Sequence, residues 1–189
     1  PLDVDAQFNF FNPKAGFIYK IAAQNNVYLS YARANREANR NDFENGVSSP
    51  EILDDIELGW RYKSDQVQLN TNIYYMNYKN QLVLTGAIDD VGAPIRATSG
   101  KSYRLGLEID ADIKLNEQFS IKSNAAFSTN KNEDFTAPID GSLLNLGNTP
   151  LSFSPNVIVG NMVIYQPSNN LQISFLSKYV GKQFMSNLN

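Results

Sequence analysis

Three closely spaced arginines are the side chains of this sequence best suited to bind a ligand. Arg33, Arg36 and Arg40 lie in the segment RANREANR, where a predicted strand runs into a long connection. A guanidinium group binds a carboxylate or phosphate through two parallel hydrogen bonds. The segment therefore predicts a site for an anionic, carboxylate-rich ligand. The alternative is a solvated loop in which the arginines pair with Glu37 and Asp42.

Paired acids elsewhere suggest weaker chemistry. Asp54-Asp55 and Asp89-Asp90 are adjacent, and neighbours on a strand point to opposite faces, so neither pair can flank a substrate as catalytic carboxylates do. Solvated acids, or at most a weak Ca²⁺ site, are the better interpretation. Asp110 and Asp112 share one face, where ion pairs with Arg104 and Lys114 explain them most simply. We predict no catalytic residue, no metal site and no cofactor.

Composition excludes several classes of function. The 189 residues contain neither His nor Cys, which excludes Ser-His-Asp triads, Cys nucleophiles and His- or Cys-ligated zinc. The net charge is −3 without a basic patch, so a nucleic-acid partner is not expected. No apolar run is long enough for a transmembrane helix. The mean hydropathy of −0.34 fits a water-soluble protein and a membrane β-barrel equally well.

Period-two alternation of apolar and polar residues recurs along the chain and predicts β-strands. No segment shows a helical period; the Asn-rich stretch from Tyr31 to Asn45 is polar all round, which predicts a loop. Connections alternate between short and long, and the last long one carries Phe135, Leu143, Leu144 and Leu146, either as a lid or packed within the loop. Strands are predicted at 14–22, 26–35, 51–63, 66–85, 94–115, 118–129, 153–166 and 170–182, with long connections at about 36–50, 86–92 and 130–151.

Sorting five of the clearer predicted strands by parity, over residues 56–62, 67–75, 103–113, 119–127 and 171–179, confines charge to one face. The apolar face carries aromatic residues near its two ends and mainly aliphatic or small residues between, as expected for side chains that anchor a barrel at both membrane interfaces. A soluble sandwich would place bulky rings at its centre. The predicted lipid-facing interfacial aromatics are Trp60, Tyr62, Tyr75, Tyr103, Phe127 and Tyr179. The predicted lumen-facing charges are Glu57, Arg61, Arg104, Glu108 and Asp110.

These patterns predict an all-β fold: an antiparallel up-and-down transmembrane β-barrel to which this sequence contributes about eight strands. Eight strands could close as a small barrel or form a segment of a larger one. Two alternatives remain open, a small closed outer-membrane barrel with an adhesive or structural role and a soluble β-sandwich binding module.

Several segments resemble successive landmarks of TonB-dependent outer-membrane receptors of the iron-complex, or siderophore, type. The segments occur in the order of that family, although Arg36-Glu37-Ala38 stands where the family often has Arg-Glu-Pro. They are NPKAGFIY (12–19), YLSYARANRE (28–37), SPEILDDIELGWRY (49–62), NIYYMNYKNQLVLTG (72–86), SYRLGLEIDADIKL (102–115), FSTNKNEDFT (127–136), LSFSPNVIVGNMVIYQP (151–167) and KYVGKQFMSN (178–187).

The resemblance implies a transporter of the bacterial outer membrane rather than an enzyme. Its partners would be outer-membrane lipid, a ferric siderophore or similar metal chelate, and TonB acting through a plug domain. Such receptors have an N-terminal plug and a barrel of about 22 strands. The resemblance therefore implies that residues 1–189 form one partial β-barrel domain, a segment with about eight strands of a larger barrel. We expect the sequence to be a piece of a longer protein, without the plug and the C-terminal strands.

Overall fold

The computed structural model describes residues 5–44, 46–88, 91–92, 94–139 and 142–188, and almost all of its regular structure is β-strand. One short helix, α1 (Arg40–Glu44), interrupts the strands. The strands are β1 (Lys14–Ala22), β2 (Asn25–Arg36), β3 (Glu51–Lys63), β4 (Val67–Lys79), β5 (Leu82–Ile88), β6 (Pro94–Thr98), β7 (Lys101–Lys114), β8 (Phe119–Glu133), β9 (Thr136–Ile139), β10 (Ser142–Asn145), β11 (Thr149–Pro150), β12 (Val157–Ser168) and β13 (Leu171–Val180).

Eight long strands form a single antiparallel sheet in the order β1-β2-β3-β4-β7-β8-β12-β13, and the short strand β11 pairs with β8. Each long strand therefore pairs with the long strands before and after it in the chain, which is the up-and-down topology. In the described part of the chain, β1 and β13 each have one partner and do not pair with each other. The sheet is open, and the predicted all-β antiparallel fold is confirmed.

Short and long connections alternate along the chain, as predicted. Tight turns join β1 to β2, β3 to β4, β7 to β8 and β12 to β13, and we call this end of the sheet the turn end. The turn after β3 is closed by Ser64, whose hydroxyl accepts from the Val67 amide at 3.1 Å. The connections at residues 37–50, 80–100 and 134–156 leave from the opposite end, which we call the loop end.

The middle long connection is larger than predicted. The strands expected at 66–85 and 94–115 each break where the backbone turns through a positive φ, at Asn80 (54°) and Gly100 (75°). The residues between these two positions form a separate two-stranded sheet, β5-β6. The predicted boundaries were wrong because the apolar run Leu82-Val83-Leu84 follows directly after Asn80-Gln81 and so hides the break at Asn80.

The helix α1 lies inside the stretch that we predicted to be a loop. Its start is fixed by a reciprocal pair of hydrogen bonds: Asn39 Oδ1 accepts from the Asp42 amide and Asp42 Oδ2 accepts from the Asn39 amide, both at 3.0 Å. This is a capping box with Asp42 in the position where Glu is usual. The loop prediction was wrong here because it weighed helical periodicity and overlooked the cap.

The buried apolar residues of the described chain lie at the loop end and not in the sheet. Val83, Phe135 and Leu151 are buried together, and Leu146 packs against them. Two long connections therefore share one small core, so Phe135 and Leu146 pack at the base of the loops. Leu144 is 45% exposed, and the side chain of Leu143 lies outside the described residues.

Candidate functional site

One face of the sheet is apolar and uncovered. We call it the apolar face; it holds Leu58 and Ile73, which are direct cross-strand partners. Their side chains are 52% and 50% exposed, and Leu105 and Phe127 farther along the sheet are 43% and 44% exposed. Exposed apolar surface of this extent indicates a face that contacts protein, ligand or membrane.

Aromatic rings occupy both ends of the apolar face. At the turn end, Trp60 stacks on Tyr62 with ring centroids 6.2 Å apart, and Phe119 stacks on Tyr165 at 4.4 Å. Toward the loop end, the rings of Tyr75 and Tyr103 lie 6.2 Å apart. Phe127 and Tyr179 also lie on the apolar face, opposite Val157 and Val159 of β12, so the six predicted interfacial aromatics share one face.

The opposite face, which we call the polar face, carries all five predicted lumen-facing charges. Arg61 lies over the ring of Tyr28 at 4.4 Å from the centroid. Arg104 Nη1 donates to Asn130 Oδ1 at 3.3 Å and to Ser154 Oγ at 3.0 Å. Glu57, Glu108 and Asp110 complete the set. They form no salt bridge within 4.0 Å to any described residue.

The ion pairs expected around Asp110 and Asp112 differ in the structure. Asp112 faces Lys122 of β8 at 3.6 Å, whereas Lys114 pairs with Glu117 of the adjacent turn at 3.1 Å. The predicted pairs with Arg104 and Lys114 were therefore wrong. The reason is that cross-strand register, which the sequence does not reveal, places Lys122 directly opposite Asp112.

Two glycines on the polar face let tyrosine rings lie flat across the neighbouring strand. Tyr28 is the direct partner of Gly59, and Tyr74 is the direct partner of Gly106. A Cβ atom added at either glycine would overlap the tyrosine ring. An aromatic ring laid over a strand glycine restores the packing that the missing side chain gives up. The two tyrosine rings thus cover the backbone of the polar face at these glycines, and Gly59 is buried.

The three candidate ligand-binding arginines do not converge in the structure. Arg33 lies on the apolar face and donates to both oxygens of Asp54, at 2.7 and 2.8 Å. Arg36 lies on the polar face, 3.5 Å from Glu51 of β3. Arg40 lies in α1 and pairs with Glu44 one turn later at 2.8 Å. The alternative, in which the arginines pair with Glu37 and Asp42, was also wrong, because their partners are Asp54, Glu51 and Glu44.

The described residues include neither a candidate metal cluster nor a helix that could span a membrane. They contain no cluster of three or more His, Cys, Asp or Glu side chains able to hold a metal ion. No helix in the same part of the chain is long and apolar enough to cross a membrane. The predicted acid pair Asp89-Asp90 lies outside the described residues.

A buried polar network at the loop end was not foreseen from the sequence. Asn132 is fully buried and donates from Nδ2 to Thr149 Oγ1 at 3.1 Å and to Asn187 Oδ1 at 3.4 Å. Asn187 Oδ1 also accepts from the Ser152 amide at 2.9 Å. The segment after β13 is therefore tied back to β8 and to the last long connection. No sequence signal links these positions, since 55 residues separate Asn132 from Asn187.

An open up-and-down sheet with an exposed apolar face, two aromatic bands and a polar opposite face defines the wall of a membrane β-barrel. Comparison with known proteins supplies the family. The sequence model of the family "TonB dependent receptor-like, beta-barrel" matches residues 2–189. The chain belongs to this family, which consists of receptors and not enzymes, and the predicted bacterial outer-membrane location is confirmed.

Solved structures show the same fold at low sequence identity. The chain matches the ferric citrate transporter FecA in its unliganded form with a TM-score of 0.73 and 22% identity, covering 94% of this chain and 26% of that one. It matches the ferric-catecholate import receptor Fiu from E. coli K12 with a TM-score of 0.64 and 17% identity, covering 90% of this chain and 24% of that one.

A third match is the siderophore receptor PirA from Pseudomonas aeruginosa, with a TM-score of 0.66, 16% identity and coverage of 90% and 30%. The chain thus spans about a quarter of the length of these structures. No curated protein sequence matches it.

Proposed function

We propose that the chain forms part of the barrel wall of an outer-membrane receptor that binds a metal chelate and imports it with energy from the TonB system. The observation that carries the proposal is the exposed apolar face, which continues across all eight long strands. In water such a face would drive aggregation. In a bilayer its apolar side chains contact lipid hydrocarbon without an unfavourable free energy. The open edges of β1 and β13 would be paired by further strands of the same barrel.

In this proposal the two faces meet different surroundings. Trp60, Tyr62, Tyr75, Tyr103, Phe127 and Tyr179 contact lipid at the two interfaces. The aliphatic rows around Leu58 and Ile73 lie in hydrocarbon between them. The lumen-facing charges are Glu57, Arg61, Arg104, Glu108 and Asp110. A plug domain supplied elsewhere in the protein would fill this lumen and contact TonB. Residues 1–189 act as one partial barrel domain.

The proposed cargo is a ferric siderophore or a similar anionic metal chelate. FecA and Fiu, by their names, handle ferric citrate and ferric catecholates, which supports this class of ligand. Among the candidate contacts, Arg36 and Arg40 have side chains that are 52% and 81% exposed at the loop end. Arg33 is held by Asp54, so a ligand would have to break that bidentate pair to reach its guanidinium.

Uptake of radioactive iron by bacteria that carry the full-length receptor tests the proposal. We expect uptake from at least one ferric chelate, with ferric citrate and ferric catecholates tried in parallel, and we expect loss of uptake but not of surface binding when TonB is inactivated. Uptake of copper in place of iron would change the proposed ligand but still support the proposed transport function. Unchanged uptake without TonB, or a receptor that fractionates as a soluble protein, would contradict the proposal.

The ligand role of the arginines needs a separate measurement. Arg36→Gln and Arg40→Gln should each weaken binding of the imported chelate to the full-length receptor. Lys63→Gln is the matched control, because it removes the same charge at the turn end. Equal affinity of all three variants would remove Arg36 and Arg40 from the ligand site and leave the transport function unaffected.

A further inference from the structure

We propose that Lys79, Lys101 and Lys131 form a binding site on the outside of the barrel for the phosphate groups of anionic membrane lipid. The three lysines lie on the apolar face at the loop end, and we call them the lysine cluster. The inference rests on the proposed function only in that the apolar face must meet lipid.

Strand register brings the three side chains together. Lys79 of β4 is the direct cross-strand partner of Lys101 of β7. Lys131 of β8 is the direct partner of Tyr103, two residues from Lys101 on the same face. All three lysines are exposed. Like charges placed directly opposite each other destabilise a sheet, so the Lys79–Lys101 pair calls for an anion between or beside the two ammonium groups.

None of the three lysines forms a salt bridge with a carboxylate of the described residues. The nearby acids on the same face are Asp54 and Glu133. Asp54 is occupied by Arg33 and by the Tyr31 hydroxyl, which donates to it at 2.6 Å. Glu133 is the cross-strand partner of Lys101, yet no lysine of the cluster lies within salt-bridge distance of any carboxylate of the described residues.

The height of the cluster matches the edge of a membrane. Lys79 is level with Ile52, which lies ten residues along β3 from Tyr62 in the turn-end aromatic band. With a rise of about 3.3 Å per residue and a strand tilt of about 40°, the vertical separation is about 25 Å. That is also the approximate height of the apolar band on an outer-membrane barrel. Phosphate groups begin where this band ends.

The opposite end of the apolar face has no such charges. From Trp60 and Tyr62 through Phe119 to Tyr165, the described apolar-face positions near the tight turns are uncharged. Every charged residue of this face therefore lies at the loop end, where the cluster continues directly from the exposed aliphatic and aromatic rows. A soluble anion would have no reason to select a site next to lipid tails, whereas a phosphorylated lipid presents tails and phosphate together.

Lipid binding by the full-length receptor in mild detergent tests the proposal. Native mass spectrometry and titration with lipid A, a phosphorylated glycolipid, would compare the wild type with the triple variant Lys79→Gln/Lys101→Gln/Lys131→Gln. Each cation near an anionic lipid surface contributes about five-fold in affinity, so the triple variant should bind on the order of 100-fold more weakly. The control Lys14→Gln/Lys20→Gln/Lys178→Gln removes equal charge from the polar face and should bind like the wild type.

Three outcomes would overturn the proposal: unchanged lipid binding by the triple variant, equal loss in the control, or equal binding of enzymatically dephosphorylated lipid A. Displacement of the lipid by inorganic phosphate alone would likewise show a simple anion site. Iron uptake measured on the same variants separates the two proposals. Lost lipid binding with intact uptake supports the cluster, and failed uptake in a wild type that still binds the lipid counts only against the transport function.

Discussion

Arg33 and Asp54 join β2 to β3 through two parallel hydrogen bonds of 2.7 and 2.8 Å on the apolar face, and the Tyr31 hydroxyl donates to the same carboxylate at 2.6 Å. The two residues are direct cross-strand partners. The side chains are 40% and 19% exposed. The pair lies two residues from Ile56 toward the loop end, between the aliphatic rows and the long connections. Arg33 is therefore engaged within the wall, whatever the receptor binds.

This engagement predicts that Arg33 acts on stability and not on ligand affinity. Arg33→Gln and Asp54→Asn should each lower the urea midpoint of the refolded full-length receptor, and the double variant should lose less than the sum of the two. Chelate affinity should stay at the wild-type value throughout. Additive losses, or an Arg33→Gln variant that folds normally and binds chelate weakly, would return Arg33 to the ligand site.

Gly59→Ala should destabilise the barrel because the new methyl group overlaps the Tyr28 ring. Overpacking of this kind costs about 1–3 kcal/mol. Gly16→Ala is the matched control in β1, since its Cβ would lie 3.8 Å from the nearest atom, an ordinary contact. The free energy of unfolding in lipid vesicles gives the comparison. Equal stability of the two variants would mean that the Tyr28 ring does not lie over Gly59.

Asn187→Ala should free the segment after β13 from the last long connection. The substitution removes the acceptor for Ser152 N–H and one partner of the buried Asn132 amide, and an unsatisfied buried group costs about 1–3 kcal/mol. Hydrogen exchange at the Ser152 amide should accelerate. Met185→Ala, a change at a 78% exposed side chain, should leave that exchange rate unchanged. Slow exchange at Ser152 in both variants would rule out the hydrogen bond between the Ser152 amide and Asn187.

The sequence alone predicts the sheet well because period-two alternation is a local signal. The bounds of β1 and β3 match the predicted ones, and the two faces of the hairpin from Glu57 to Tyr78 are those read from parity. Breaks in the pattern are less visible. Asn80 turns the chain through a positive φ just before the apolar run Leu82-Val83-Leu84, and only the structure reveals the separate β5-β6 hairpin.

The candidate site was harder to predict because it depends on register. The parity rule, extended two residues along β3 beyond Ile56, places Asp54 on the apolar face. Even so, its pairing with Arg33 could not be read from the sequence, since a connection of fourteen residues between β2 and β3 leaves the register open. The same limit hid the Lys79–Lys101 pair. The cap of α1 was a local signal that a search for Asn39-x-x-Asp42 would have found.

The most direct test of the account is an arginine scan of the two faces of β4 in the full-length receptor. Ile73 lies near mid-height of the apolar face, so Ile73→Arg should destabilise the barrel folded into lipid vesicles by about 2–4 kcal/mol. Leu69→Arg, level with Tyr62 in the turn-end band, should cost only about 0–1 kcal/mol. Asn72 lines an open concavity on the polar face with Glu108 and Asp110, which gives a new arginine room and a counter-charge.

If the apolar face meets lipid, Asn72→Arg should fold nearly as well as the wild type, whereas Ile73→Arg should not. If Asn72→Arg proves the costlier of the two, the apolar face is packed against protein, and the sheet is not the wall of a membrane barrel.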